Sequence, residues 1–213
     1  FFKGLSYTSP ISASVIMVTA PIIVLILSAI IIKERIEVKK VIGIIIGLTG
    51  TAILILYGKS IGDSSNAGWG NFLVFINAFS YAIYLILIKK LITKYHAFTF
   101  IKWIYSFGLL YILPFGFSEF SEVNWQVIPV SIYYKIGFVV LFTTFLAYLI
   151  NLMAMKHLKP TTLSVFIYLQ PLFAATFAIS LGKDELNLIK IFSAVLIFTG
   201  VYLVTHKKAI SDQ

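Results

Sequence analysis

Apolar residues gather along this chain into seven blocks of about twenty, nearly free of charge, at residues 11–32, 38–57, 69–88, 98–117, 132–155, 161–181 and 188–205. A shorter apolar stub precedes them at residues 1–7. At about 1.5 Å rise per residue, a helix of about twenty residues matches a hydrocarbon core about 30 Å thick. The pattern therefore predicts seven membrane-crossing helices and the end of one more. The connections are short and polar. The two longest hold turn-formers, Gly62-Asp63-Ser64-Ser65-Asn66 in one and residues 118–129, from Ser118 to Pro129, in the other.

Composition strengthens the membrane reading. Of 213 residues, 60% are hydrophobic and 12% charged, against about 45–50% apolar content in a soluble domain. The formal charge of +9 raises the question of nucleic acid, and its placement answers it. If the spans alternate, one side receives Lys33, Arg35, Lys39, Lys40, Lys89, Lys90, Lys94, Lys102, Lys156, Lys159, Lys207 and Lys208. The other side keeps Lys3, Lys59, Lys135, Lys183 and Lys190, with Asp63, Glu119 and Glu122. Basic residues concentrate in cytoplasmic loops, so the Lys-rich side and the carboxyl terminus are expected to be cytoplasmic, in a multi-pass protein of the plasma (inner) membrane. With no cysteine, disulfides, thiol catalysis and thiolate metal sites are excluded. The chain opens on Phe1-Phe2-Lys3-Gly4 without an initiating Met or a signal-peptide pattern, so the natural amino terminus is expected to lie further upstream.

Sliding the chain on itself by 150 residues aligns Pro10 with Pro160, Ser14 with Ser164, Val15 with Val165 and Pro21 with Pro171. It also aligns Lys33 with Lys183, Lys40 with Lys190, Thr49 with Thr199 and Gly50 with Gly200. The span holding Pro21 is the first whole span and that holding Pro171 the sixth, five crossings later. An odd number of crossings reverses direction, so the halves are expected to be antiparallel. Inverted repeats around a central site are a recurring transporter design, because two related halves exchange inward and outward shapes by rocking.

The residues that carry this pattern are Tyr7-Thr8-Ser9 through Pro21 to Lys33-Glu34-Arg35, and Gly43 to Gly50. The second copy runs from Ala154 through Pro160, Gln170-Pro171 and Gly182-Lys183-Asp184-Glu185 to Gly200, with Ala78-Phe79-Ser80-Tyr81-Ala82 resembling the opening helix of a repeat. Together they resemble the EamA domain of the drug/metabolite transporter superfamily, over essentially the whole chain. The departures are Asp184 in place of Glu34, with an extra acid after it, and Ser193 in place of Gly43. The resemblance implies an all-α integral membrane protein, a helical bundle of two inverted-topology repeats. Such a bundle would be a ten-span fold lacking its first two to three spans here. Residues 1–57 would be the end of the first repeat, 58–68 a linker loop, 69–206 the second repeat and 207–213 a cytoplasmic tail. The implied function is a secondary transporter of a small organic metabolite, without enzymatic activity, cofactor or metal. The alternative is a membrane receptor or scaffold that binds a small ligand without moving it; antiparallel halves favour the transporter. The expected partners are a small-molecule substrate and membrane lipid, with a homodimer left open and nucleic acid excluded.

Candidate substrate contacts follow from polar residues inside apolar spans. Asn77, Ser80, Tyr81 and Tyr84 fall at i, i+3, i+4 and i+7, one stripe on one helix face. Thr144, Tyr148 and Asn151 repeat the i, i+4, i+7 spacing two spans later, and Gln170 sits at mid-span before Pro171. These groups are expected to face a substrate cavity, against the alternative that they hydrogen-bond neighbouring helices. Pro21 and Pro171 remove a backbone donor each and are candidate helix breaks that offer carbonyls to a ligand, or else tolerated kinks. Gly43, Gly47, Gly50 and Gly200 are expected to let helices approach closely. Glu34 and Asp184 lie at span ends among basic residues, where an ion pair or a helix-end role outweighs substrate binding. Lys102, about one turn inside its span, is expected to snorkel beside Trp103 at the interface.

Other chemistries fit poorly. Gly58-Lys59-Ser60 has the tail of a phosphate-binding loop, but the motif's first glycine would fall at Ile53, inside a span. His96, His157 and His206 lie at separate span ends, which leaves no constellation for a protease or transferase. No lysine stands deep in the last span as a retinal protein requires, and no acid stands at mid-membrane as a carboxylate proton relay requires.

Overall fold

A computed structural model describes residues 1–57 and 67–206, apart from the Glu119 side chain. Most of the expected linker, including Gly58-Lys59-Ser60 and Asp63, and the tail 207–213 lie outside the described residues. Among these, the chain is helical: α1 (Phe2–Leu5), α2 (Pro10–Met17), α3 (Ala20–Ile31), α4 (Val38–Leu56), α5 (Ala67–Ile92), α6 (Ala97–Glu122), α7 (Val130–Phe138), α8 (Ala147–His157), α9 (Pro160–Val165), α10 (Leu169–Ser180) and α11 (Leu188–Thr205). Short 3-10 turns cover Trp125–Val127 and Phe166–Tyr168, and a π-helical stretch, Val139–Leu146, joins α7 to α8. Seven helical segments among the described residues are long and apolar enough to cross a membrane. Each overlaps one expected span, so the protein is an all-α, multi-pass membrane protein. The hydroxyls inside spans are accommodated locally: Thr49, Thr51, Thr143, Thr176 and Thr205 each donate to the carbonyl four residues back.

One expectation is corrected. The loop expected over residues 118–129 is shorter, because α6 runs on to Glu122 past Pro114. Ser121 Oγ donates to the Ser118 carbonyl at 2.8 Å, so a turn-former is absorbed into the helix, and Tyr133 OH pins the 3-10 turn through the Trp125 carbonyl at 2.6 Å.

The chain divides into two compact units, residues 1–87 with 159–213, and residues 88–158. In the first, α4 and α11 run antiparallel at close range. A Cβ on Gly43 would stand 2.8 Å from the Gly200 carbonyl oxygen, and one on Gly50 would stand 2.9 Å from the Ser193 carbonyl oxygen. The 150-residue offset turns the first contact into the second, since it carries 43 to 193 and 50 to 200. Tyr168 packs against Gly47, whose Cβ would meet its ring at 2.6 Å. Val18, Leu25, Ile44, Val165, Tyr168, Ile197 and Val201 close the core around these helices. Ser9 caps α2 through Ser12 N–H at 3.1 Å, and Asn187 caps α11 through Lys190 N–H at 2.9 Å.

In the second unit, Lys89 reaches from the end of α5 to the open carboxyl end of α8. Its Nζ donates to the Met155 carbonyl at 2.6 Å and the Leu158 carbonyl at 2.8 Å, supplying donors to carbonyls that have no helical partner. Tyr105 of α6 donates to the Thr144 carbonyl at 3.1 Å inside the π-helical stretch, and its ring meets Tyr148 edge-on.

Candidate functional site

The first unit holds a half-open cavity of about 1170 Å³, somewhat above the ~300–1,000 Å³ range of small-molecule sites. Its walls are α2 and α10, with Leu54, Ile55 and Tyr57 from the end of α4 and the turn before α11. Proline shapes both walls. The span from Pro10 to Ile31 breaks at Val18 and Thr19, two residues before Pro21, and the span from Pro160 to Ser180 tightens into a 3-10 turn that ends three residues before Pro171. A regular helix would pair the Met17 and Ile167 carbonyls with the N–H groups of residues 21 and 171, which proline lacks. Met17 and Ile167 both line the cavity.

Charge collects where the cavity meets the turn between α10 and α11. Gly182, with φ of 65°, reverses the chain, and Lys183, Asp184, Glu185, Asn187 and Lys190 follow along the lining. Lys190 Nζ bridges the Asp184 carboxylate and the Glu185 carbonyl, each at 2.5 Å. The equivalent pair in the first copy sits elsewhere in this unit and is buried. Glu34 Oε1 accepts Lys40 Nζ and Thr161 Oγ1, each at 2.8 Å, with Lys159 Nζ at 3.8 Å. The side chains of Glu34 and Lys40 are only 7% and 8% exposed, and Glu34 Oε2 is buried without a hydrogen-bond partner.

The sequence-derived candidates distribute unevenly. Gln170 and Pro171 line the cavity, and Pro21 is buried in α3. Asn77, Ser80, Tyr81 and Tyr84 lie on α5 of the same unit but not in the cavity lining. Asn77 Nδ2 contacts Met17 Sδ at 3.4 Å, which puts it one side chain behind the wall, and Tyr81 stacks on Tyr84 with ring centroids 6.2 Å apart. Thr144, Tyr148 and Asn151 belong to the second unit, where the first two meet Tyr105. Gly43, Gly47, Gly50 and Gly200 sit at the α4 contacts described above. Among the lining, Ser14 and Tyr57 were not singled out from sequence. Ser14 carried a signal, since it is one of the residues the 150-residue offset matches. Thr161, as the partner of Glu34 127 positions away, carried none.

Similar proteins agree on a family. The EamA-like transporter family matches residues 1–56 and 68–206. Two proteins of Archaeoglobus fulgidus, each named an uncharacterized transporter, are 25% and 30% identical over 97% and 96% of the chain, which spans 71% of each. YyaM of Bacillus subtilis, also named an uncharacterized transporter, is 26% identical over 94% of the chain, which spans 66% of it. A WAT1-related protein of Arabidopsis thaliana is 25% identical over the whole chain, which spans 65% of it. A solved crystal structure, 18% identical, shares the fold with a TM-score of 0.79 over 96% of this chain and 70% of its own. Family match, relatives and helical architecture converge, and the chain belongs to the EamA-like transporter family.

Proposed function

We propose that this chain is the larger part of a secondary transporter that moves a small organic metabolite by alternating access of two inverted repeats, with the cavity between α2 and α10 as its substrate site. The observation that carries the reading is the cavity itself. Two broken helices, matched at an offset of 150 residues, face each other across it, and each carries a proline where its carbonyl ladder is interrupted. Discontinuous helices offer backbone polar groups to a substrate inside a membrane at little cost, because the protein shields them from lipid. Gln170 and Ser14 supply side-chain hydrogen bonds, and Ala174, Ala175 and Ala178 leave room along α10. The α5 stripe, Asn77, Ser80, Tyr81 and Tyr84, forms a second polar surface reached past Met17. The Lys-rich end of the bundle and the carboxyl terminus face the cytoplasm of a plasma (inner) membrane.

The test is a thermal-shift screen of the full-length protein against amino acids, nucleosides and polyamines, followed by flux measurements in vesicles. A ligand at about 100 times its Kd adds about 2.7 kcal/mol to native-state stability. The expected result is a stabilising solute that is also transported, with both effects lost in Gln170→Leu. Normal uptake by a protein carrying both Tyr81→Phe and Gln170→Leu would sink the site assignment. Binding without flux would point to a receptor instead.

A further inference from the structure

The 150-residue offset that relates the two copies pairs residues that line the cavity with residues sealed from solvent. Ser14, Gln170, Ala174 and Ala178 line the cavity. Their counterparts Ser164, Ala20, Val24 and Ser28 are all 0% exposed. The same inversion appears in the helix contacts: α3 packs on α9, whereas their counterparts α10 and α2 stand on facing walls of the cavity. One acid–base pair sits at each location. At the packed one, Glu34 links the turn after α3 to the start of α9 through Thr161 Oγ1 at 2.8 Å, while Lys40 holds the same carboxylate oxygen. At the open one, Asp184 and Lys190 form the matching pair, with Asp184 42% exposed along the cavity.

We infer that Glu34 is a latch that keeps α3 closed on α9 in this structure, and that Asp184 is its counterpart, which closes α10 on α2 in the opposite state. The inference rests on the transport reading, because only a path that opens at one end at a time needs two such latches. Each acid stands six residues before its lysine, so the lysine holds the carboxylate within its own repeat and leaves the carboxylate to choose a partner on the other repeat. For Glu34 that partner is Thr161, the second residue of α9. The residue matched to Thr161 is Ile11, which has no donor; the donors that α2 presents to Asp184 are the Ser9 and Ser12 hydroxyls on either side of it, which now bond each other at 2.9 Å. A buried carboxylate holds its donors strongly and tolerates their loss poorly, so such a contact is made or broken rather than stretched. The two ends of the path then exchange discretely between closed and open.

These 213 residues hold no cysteine, so the test needs only that any cysteine in the rest of the full-length protein be replaced by serine first. Ser14→Cys and Ser164→Cys, singly in the full-length protein in membrane vesicles, report the two surfaces through their rates of reaction with a membrane-impermeant maleimide added from either side. Ser14→Cys is expected to react and Ser164→Cys to be protected. Removing a hydrogen bond to a charged group shifts a two-state balance by about tenfold or more. Adding Glu34→Gln is therefore expected to raise the Ser164→Cys rate about tenfold, from the side opposite to that which labels Ser14→Cys, and to slow Ser14→Cys. Adding Asp184→Asn as well should return most of that rise. Thr161→Val removes only the link between repeats, leaves the ion pair in place, and decides the matter should Glu34→Gln fail to fold. An unchanged Ser164→Cys rate in a well-folded Thr161→Val protein overturns the latch. A rise that Asp184→Asn does not reverse overturns the role of Asp184. Absence of flux for every solute class in vesicles of the unsubstituted full-length protein would defeat the transporter reading alone, since labelling reports conformation without a substrate.

Discussion

Replacing Gly200 by Ala tests the close contact of α11 with α4. A methyl there would lie 2.6 Å from the Gly43 carbonyl oxygen, 2.6 Å from Gly47 N and 2.7 Å from Gly47 Cα. Ordinary contacts of this kind are 3.4–4 Å, so α4 and α11 have to part by the better part of an ångström. The obstructing atoms are all backbone and have no rotamer to change. Overpacking of this kind costs about 1–3 kcal/mol. In a chain of 213 residues, that corresponds to a Tm lower by roughly 2–12 °C. Gly108→Ala in α6 is the matched control, because nothing lies within 4 Å of its new methyl. That exchange recovers about 1 kcal/mol of helix propensity and is expected to leave Tm unchanged or raise it by a few degrees. Thermal unfolding of the two purified variants side by side is the assay. Equal Tm values for Gly200→Ala and Gly108→Ala would refute the argument, since the two exchanges are chemically identical and differ only in what the methyl meets.

Further outcomes follow from the same reasoning. Lys89→Met deprives the α8 carboxyl end of its donors and is expected to cost about 1–3 kcal/mol, seen as faster amide exchange near residues 154–158 with little change elsewhere. Glu34→Gln breaks a buried ion pair and should lower stability by about 3–5 kcal/mol, whereas Asp184→Asn breaks an exposed one and should cost at most about 1 kcal/mol; urea or thermal titration of both variants measures the contrast. Gln170→Leu is expected to keep the wild-type Tm while losing ligand-induced stabilisation, because it alters the cavity wall without touching the core.

The spans were legible because lipid imposes one rule on every residue in them: long apolar runs without charge leave few alternatives to a helix. The break in the first half was legible from Pro21, whose missing N–H acts locally. The π-helical stretch, Val139–Leu146, was not legible, because its residues differ in no obvious way from those of a regular span. It also affects how the stripe Thr144, Tyr148 and Asn151 is read. The first of these lies where bonds reach five residues back rather than four, so spacing based on a regular helix holds only from Tyr148 onward. Glu34 was readable as half of an ion pair with a nearby lysine, but its bond to Thr161 depends on the bundle being assembled. The same limit applies to Asn77, whose neighbour Met17 is 60 positions away. Local chemistry reads well from sequence, whereas a contact between distant segments is decided by packing.

The meeting of Gly43, Gly47 and Gly200 bears on how α4 and α11 can move as well as on how closely they sit. Interdigitated side chains act like gear teeth: a small turn of one helix requires several residues to change rotamer together. Where main chain lies on main chain there are no teeth. A few degrees of tilt at the glycine contact itself need no change of rotamer and shift only van der Waals distances, while Leu203 and Val204 flank Gly43 and the Tyr168 ring meets Gly47. The pair therefore has the makings of a plain bearing, stiff against separation and low in friction against rotation, and a bulkier residue at any of the three positions would convert it into a ratchet.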